Sequence, residues 1–211
     1  VGVDAEELTV SIGDARCLTG EERRTIGTHG FELLDQPLAD PAIDFYDHQA
    51  VVQRHYPECA EAVRAATGAS HVFAFDHNIR SAAENKAARR IKGGQQVQGP
   101  AHLVHGDYTL TSGPQRLRDL AKPPGLNDTV RSVLAQGEAL LDQAVVDRAL
   151  GADGRFAIIN LWRNIDSEPV QSEAMTLCDG QTVIPEDLVV FEIHYQERIG
   201  ENYFAKPAPG H

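Results

Sequence analysis

His105-Gly106-Asp107 sets two metal-ligand side chains one residue apart. In an extended segment side chains alternate faces, so residues i and i+2 point the same way and an imidazole and a carboxylate reach one metal ion together. Joined by a second histidine, such a pair makes the two-histidine, one-carboxylate triad. That triad takes three positions of an octahedral Fe(II) and leaves the others open for oxygen and a co-substrate. The tripeptide alone also fits a surface hydrogen-bonded pair. The surrounding elements have to position it before the metal reading stands.

The apolar run Leu103-Val104 before the pair reads as the end of a strand. The first 45 residues mix β-prone runs such as Leu8-Thr9-Val10-Ser11-Ile12 with turns at Gly13-Asp14 and Gly27-Thr28-His29-Gly30, an N-terminal arm of strands and loops. From Asp47 to Thr67, apolar residues recur at helical spacing, with Gly68 as C-cap and Pro57 as the point where the helix kinks or restarts. His71–His77 reads as a strand, and Ser81–Lys92 as a solvated helix or mobile loop. The breakers Gly113-Pro114 and Pro123-Pro124-Gly125 open a helical insertion over about 112–150. Its second half is expected to be one helix capped at Asp128 or Thr129 and closed by Gly151. Further strands are expected over Phe156–Trp162, Met175–Cys178, Leu188–Tyr195 and Asn202–Phe204. Short strands between turns favour an antiparallel barrel or jelly roll.

A length of 211 residues suits one domain, 1–211, and no composition shift calls for a second. No apolar run approaches the roughly 18 residues of a membrane span, and the acidic start Val1–Glu7 has no basic n-region. Cys17, Cys59 and Cys178 are odd in number and far apart, which points to free thiols and a cytoplasmic setting. A formal net charge of -12 argues against a phosphate-backbone partner. The expected partner is a small molecule or peptide, with neither nucleic acid nor membrane.

Five strings, in order, resemble a family: Phe75-Asp76-His77-Asn78-Ile79-Arg80, His105-Gly106-Asp107-Tyr108-Thr109, Ile159-Asn160-Leu161-Trp162-Arg163, Thr176-Leu177-Cys178-Asp179 and Pro209-Gly210-His211. Together they resemble the natural-product hydroxylase/desaturase family of Fe(II)/2-oxoglutarate oxygenases, which includes cephamycin-pathway hydroxylases. The resemblance covers about residues 70–211. It implies a mainly β fold with flanking helices around a double-stranded β-helix (jelly-roll, cupin-like) core. It also implies Fe(II), 2-oxoglutarate and O2 as the reacting set, with His211 completing the triad begun by His105 and Asp107. His194 competes for that third position. Arg163 offers a bidentate fork for the distal carboxylate of 2-oxoglutarate, or is a structural ion-pair partner. Asn160, Tyr108 and Arg80 are further candidates for holding the co-substrate, while Asp76, His77 and His102 read as hydrogen-bonded neighbours. The family continues beyond its last histidine, so a C-terminal segment is expected to be missing from this chain. The expected reaction is hydroxylation of an unactivated C–H bond in natural-product biosynthesis, with a histidine-bearing peptide of the thioamitide type as one substrate. Desaturation, a metal-dependent dioxygenase that does without 2-oxoglutarate, and a non-catalytic cupin-like binding barrel are the alternatives.

Overall fold

In the computed structural model, which describes residues 7–194 and 199–208, the apolar stripe after Asp47 forms the expected helix. The Asp47 carboxylate caps it, accepting from the backbone N–H groups of Gln49 at 3.0 Å and Ala50 at 3.2 Å. Pro57 leaves its mark upstream. Its ring has no N–H and would crowd the carbonyl four residues back, and the chain widens into a π-helical turn, Val51–His55, between the α-helical pieces His48–Ala50 (α2) and Tyr56–Thr67 (α3). Gly68, at φ +69°, closes α3 in the left-handed conformation that a glycine adopts without strain.

The chain divides into two units, and this helix belongs to the one formed by Leu38–Ala101 and Leu110–Val170. Its core has three clusters: Val51, Tyr56 and Val130; Ile79, Ile91 and Val97; and Leu120, Leu141 and Val146. The second cluster gives order to Ser81–Lys92, where Ser81 caps the short helix Ala82–Lys86 (α4) and isolated bridges join Arg80 to Gln98 and Arg90 to Gln96. Gly113-Pro114 begins a helix rather than breaking one, since proline is tolerated in a first turn; α5 spans Ser112–Leu120. The single helix expected from Asp128 to Leu150 is two pieces, a 3-10 turn at Thr129–Ser132 and α6 at Gln143–Leu150. The intervening chain passes through Gly137 at φ +87°.

The other unit comprises Val1–Pro37, His102–Thr109 and Gln171–His211. Its arm carries 3-10 turns and the short helix Ile26–His29 (α1) in place of strands. Its sheet has three antiparallel strands, His105–Gly106 (β1), Leu188–His194 (β2) and Ile199–Ala205 (β3), in the order β1-β3-β2. These are the strands among the described residues, so the expectation of a mainly β chain is corrected: helices outweigh strands. Leu8–Ile12, His71–His77, Phe156–Trp162 and Met175–Cys178 have strand-type composition but form no ladder. β propensity is realised only where a neighbouring strand supplies hydrogen bonds and cross-strand contacts, and these segments have none. No helix among the described residues is long and apolar enough to cross a membrane.

A polar seam crosses the core of the helical unit. Buried His48 places Nε2 2.6 Å from the Ser132 hydroxyl and stacks on His77 with ring centroids 5.2 Å apart. The Tyr56 hydroxyl lies 2.8 Å from His77 Nδ1. Burial, reinforced by His48 and His55 and opposed by Asp76, pushes the His77 imidazole down to about 4. The unfolded chain, with His77 near 6.5, therefore binds a proton that the folded chain refuses between those values. The folded state should keep its full stability above pH 6.5 and lose about 2 to 3 kcal/mol from this residue as the pH falls to 4. Urea unfolding at pH 7.5 and 4.5 should show a smaller loss in His77→Asn than in the wild type. Equal losses would remove His77 as the cause.

Candidate functional site

The histidine and aspartate of the opening pair are placed by strand β3. His105 pairs with Phe204 and Gly106 with Tyr203, and the chain bends at Asp107 just beyond the ladder. The side chains converge: His105 Nε2 stands 3.6 Å from Asp107 Oδ1. That separation is too long for a good hydrogen bond. Two donors at about 2.1 Å from one cation stand ~3.0 Å apart at an octahedral right angle and ~3.4 Å apart at a tetrahedral angle, so a small closure of the pair would let both reach one ion. His105 Nδ1 donates to the Leu103 carbonyl at 2.7 Å. A carbonyl only accepts, so Nδ1 carries a proton and Nε2 is the ring nitrogen that faces Asp107, the arrangement in which a metal-ligating imidazole is held. The two side chains are 29% and 44% exposed, so the pair is open to solvent on one side.

The third ligand expected from the resemblance, His211, lies outside the described residues with Pro209 and Gly210. Among the described residues no group of three His, Cys, Asp or Glu side chains gathers around one point. His194 is remote from the pair. It registers with Ile199 at the opposite end of β3 from Phe204, five residues or about 16 Å along the strand, and its Nε2 lies 2.9 Å from Glu192. His102 approaches Glu173 at 3.4 Å.

The remaining candidates divide between the units. Tyr108, half-buried, follows Asp107 directly. In the helical unit, Asn160, Leu161 and Trp162 are exposed while Arg163 turns inward, its side chain 20% exposed. A guanidinium nitrogen of Arg163 lies 3.8 Å from Glu58, and its buried Nε has no hydrogen-bond partner. Arg80 donates to the Gly99 carbonyl at 2.9 Å, which clips its bridge to Gln98. Asp76 accepts from the backbone of His77 at 2.8 Å and from the Thr129 hydroxyl.

Glu58 is the organising acid of this unit. Burial raises its carboxyl, but hydrogen bonds from His55 at 2.9 Å and from the Ala39 backbone at 3.1 Å outweigh that and hold it below the usual range. Two polar residues of the same unit went unread in the sequence: Thr109, whose hydroxyl donates to Glu201 at 2.7 Å, and Glu201 itself. Alternation would put Thr109 on the face of His105 only in a strand continued past Gly106, and the chain bends at Asp107 instead. Nothing local pointed to Glu201.

Comparison with known proteins gives the family. The family described as an oxidoreductase/YMDC permease-like domain matches residues 2–211. An uncharacterised protein from the dcmA 3' region of Methylophilus leisingeri is 45% identical over 157 residues, 74% of this chain and 71% of that protein. The alpha-ketoglutarate-dependent dioxygenase tstK of Talaromyces stipitatus is 30% identical over 183 residues, 85% of this chain and 55% of the relative. The Fe(II)/2-oxoglutarate-dependent dioxygenase nvfI of Aspergillus novofumigatus is 26% identical over 85% of this chain and 54% of its own length. The chain belongs to this oxidoreductase family, whose fungal relatives are the Fe(II)/2-oxoglutarate dioxygenases that the sequence resembles. It spans about half the length of those fungal relatives. No solved structure matches it.

Removing the Glu58 carboxylate leaves the Arg163 cation without its acid and the Ala39 N–H without its acceptor. Glu58→Ala should therefore lower unfolding stability by about 2 to 4 kcal/mol. Glu58→Gln keeps an acceptor oxygen and should cost less. Equal stability of both variants with the wild type, read from urea midpoints, would show that the acid organises nothing.

Proposed function

We propose that this chain carries the metal-binding part of an Fe(II)/2-oxoglutarate dioxygenase that hydroxylates an unactivated C–H bond of a natural product. The observation that carries this reading is the convergence of His105 Nε2 and Asp107 Oδ1, with the other ring nitrogen committed to the Leu103 carbonyl. His211 is the proposed third ligand, by resemblance to the family. The three-stranded sheet is proposed as part of a jelly-roll core within a single oxygenase domain. The names of the fungal relatives supply the co-substrate and the metal.

Imidazole and carboxylate donors suit Fe(II), and a site with three protein ligands leaves positions for small molecules. When bound, iron with 2-oxoglutarate and O2 supplies the oxidising power to take hydrogen from carbon, 2-oxoglutarate becoming succinate and CO2. The protein's own work is to fix the ligands and to orient both organic molecules. Asp107 brings the negative charge that a divalent ion needs, and His105 brings an imidazole whose Nδ1 is held by the Leu103 carbonyl, leaving Nε2 for the ion. Arg163 is the proposed partner of the distal carboxylate of 2-oxoglutarate, since its fork retains unused donors. Asn160, Tyr108 and Arg80 are proposed as further contacts. An excess of acids, 31 against 19 bases, favours a neutral or cationic substrate, including a peptide side chain.

Anaerobic Fe(II) titration and a succinate-release assay test the reading on the purified protein. Asp107→Ala should abolish both while leaving the melting temperature close to that of the wild type, because a metal held in an open site serves chemistry more than folding. Succinate release at the wild-type rate in that variant would reject the site.

Arg163→Lys separates two roles. It keeps the charge and loses the fork, so an anchor role predicts a rise of about one to two orders of magnitude in the KM for 2-oxoglutarate at unchanged iron affinity. A lower melting temperature with an unchanged KM would assign Arg163 to Glu58 alone.

A further inference from the structure

We propose that the N-terminal arm holds a binding site for an organic carboxylate with an apolar body, in the hollow between the 3-10 turns Ala15–Cys17 and Gly20–Glu22 and the segment that follows α1. The inference goes beyond the metal-site reading and does not depend on it. The hollow has a volume of about 340 Å³, the size of a small-molecule site. Its walls carry three guanidinium groups, Arg16, Arg23 and Arg24, beside three large apolar side chains, Leu18, Phe31 and Leu33. No acid among the described residues lines it; Glu21 and Glu22 are exposed and stand outside the lining. Such clustering runs against the formal charge of -12 of the whole chain. Two of the three cations are already answered. Arg16 holds Asp14 through Nε and Nη2, each at 2.8 Å, and Arg24 Nε lies 3.2 Å from Asp179. Arg23 has no acid partner among the described residues. Its Nη2 donates to the Leu33 carbonyl at 3.2 Å, which ties the second turn to the far wall and leaves the other N–H groups of the fork for a ligand. One unanswered cation favours a single negative charge. A phosphate monoester, at about -1.5 to -2, brings more charge than the hollow answers, whereas a carboxylate brings one and its two oxygens match the guanidinium fork. The apolar wall sets the rest of the ligand: Leu18 and Phe31 are half-buried and Leu33 is 49% exposed, so an aromatic or branched body laid there removes apolar surface of both partners from water.

The test is calorimetric titration of the whole chain with phenylacetate, which carries both features, and with phenylacetamide and inorganic phosphate, which carry one each. Phenylacetate should bind with a Kd of about a millimolar or tighter. Phenylacetamide keeps the ring without the charge and phosphate keeps charge without the ring, and each should bind at least about tenfold more weakly. Arg23→Gln should weaken phenylacetate about tenfold or more. That substitution also disturbs the bond to the Leu33 carbonyl, so Leu33→Ser, which keeps the carbonyl and removes the apolar wall, tests the other half and should weaken phenylacetate by about threefold or more. Arg64→Gln removes an exposed cation from α3, in the other unit, and should bind as the wild type does. Equal weakening in Arg64→Gln would reduce the effect to net charge and overturn the site. Wild-type affinity in Arg23→Gln, or no phenylacetate binding to the wild type, overturns it as well, and phosphate binding as tightly as phenylacetate overturns the choice of ligand. Asp107→Ala should bind phenylacetate like the wild type; a loss there would move the anion to the metal pair and reject the hollow.

Discussion

Strand β3 is hydrogen-bonded along both of its edges, and the placement of the histidine–aspartate pair depends on that. Two residues of β1 are too few to hold an extended conformation alone; their geometry is inherited from Phe204 and Tyr203. The inheritance is reinforced by aromatic contact. Phe204 lies 5.0 Å from Phe191 on β2 and 6.4 Å from the His105 ring, so three rings run across the three strands. A slip of one residue along β3 would turn His105 to the opposite face and break this row. Seven pairs between β2 and β3 make such a slip costly, and the register set there is passed on to β1.

The two units hold themselves together by different means. Every fully buried apolar side chain among the described residues belongs to the helical unit, from Val51 through Val146. The sheet unit relies on directed bonds: the ladders, the Gly180 N–H to the His29 carbonyl at 2.7 Å, and the Lys206 N–H to the Asp187 carbonyl at 2.7 Å. Apolar burial is non-directional and tolerant of small shifts, whereas a hydrogen-bonded frame fixes positions. The spacing of the His105 and Asp107 side chains depends on the second property more than on the first.

Some of this was legible in the sequence. The Asp47–Thr67 helix and its Gly68 cap could be read because capping and periodicity are local, and Leu188–His194 because its neighbour in sequence is also its neighbour in the sheet. The convergence of His105 and Asp107 was expected from strand alternation, and it holds although the chain bends at Asp107 just beyond the ladder. What was not legible depended on distant partners. Phe156–Trp162 looks like a strand, but whether it becomes one is decided by a second strand that composition does not announce. The break between Thr129–Ser132 and Gln143–Leu150 lets Leu140 pack against both the Val130 and the Leu120 clusters while Leu141 is buried in the latter, which helical periodicity cannot anticipate. Glu201 was invisible because 92 residues separate it from Thr109.

The order β1-β3-β2 leaves β2 with one edge unpaired among the described residues. Along that edge Val189 and Val190 are 43% and 51% exposed. An open edge carrying exposed valines is a template on which another copy of the same strand can add itself, the first step of strand-wise self-association. Within Leu188–His194, Glu192 is the only residue with a standing charge, and its carboxylate faces solvent beside His194. Stacking a second β2 in antiparallel register would bring like charges towards one another in this segment. A strand added at this edge would therefore have to bring a second carboxylate towards Glu192, and like charge opposes that pairing.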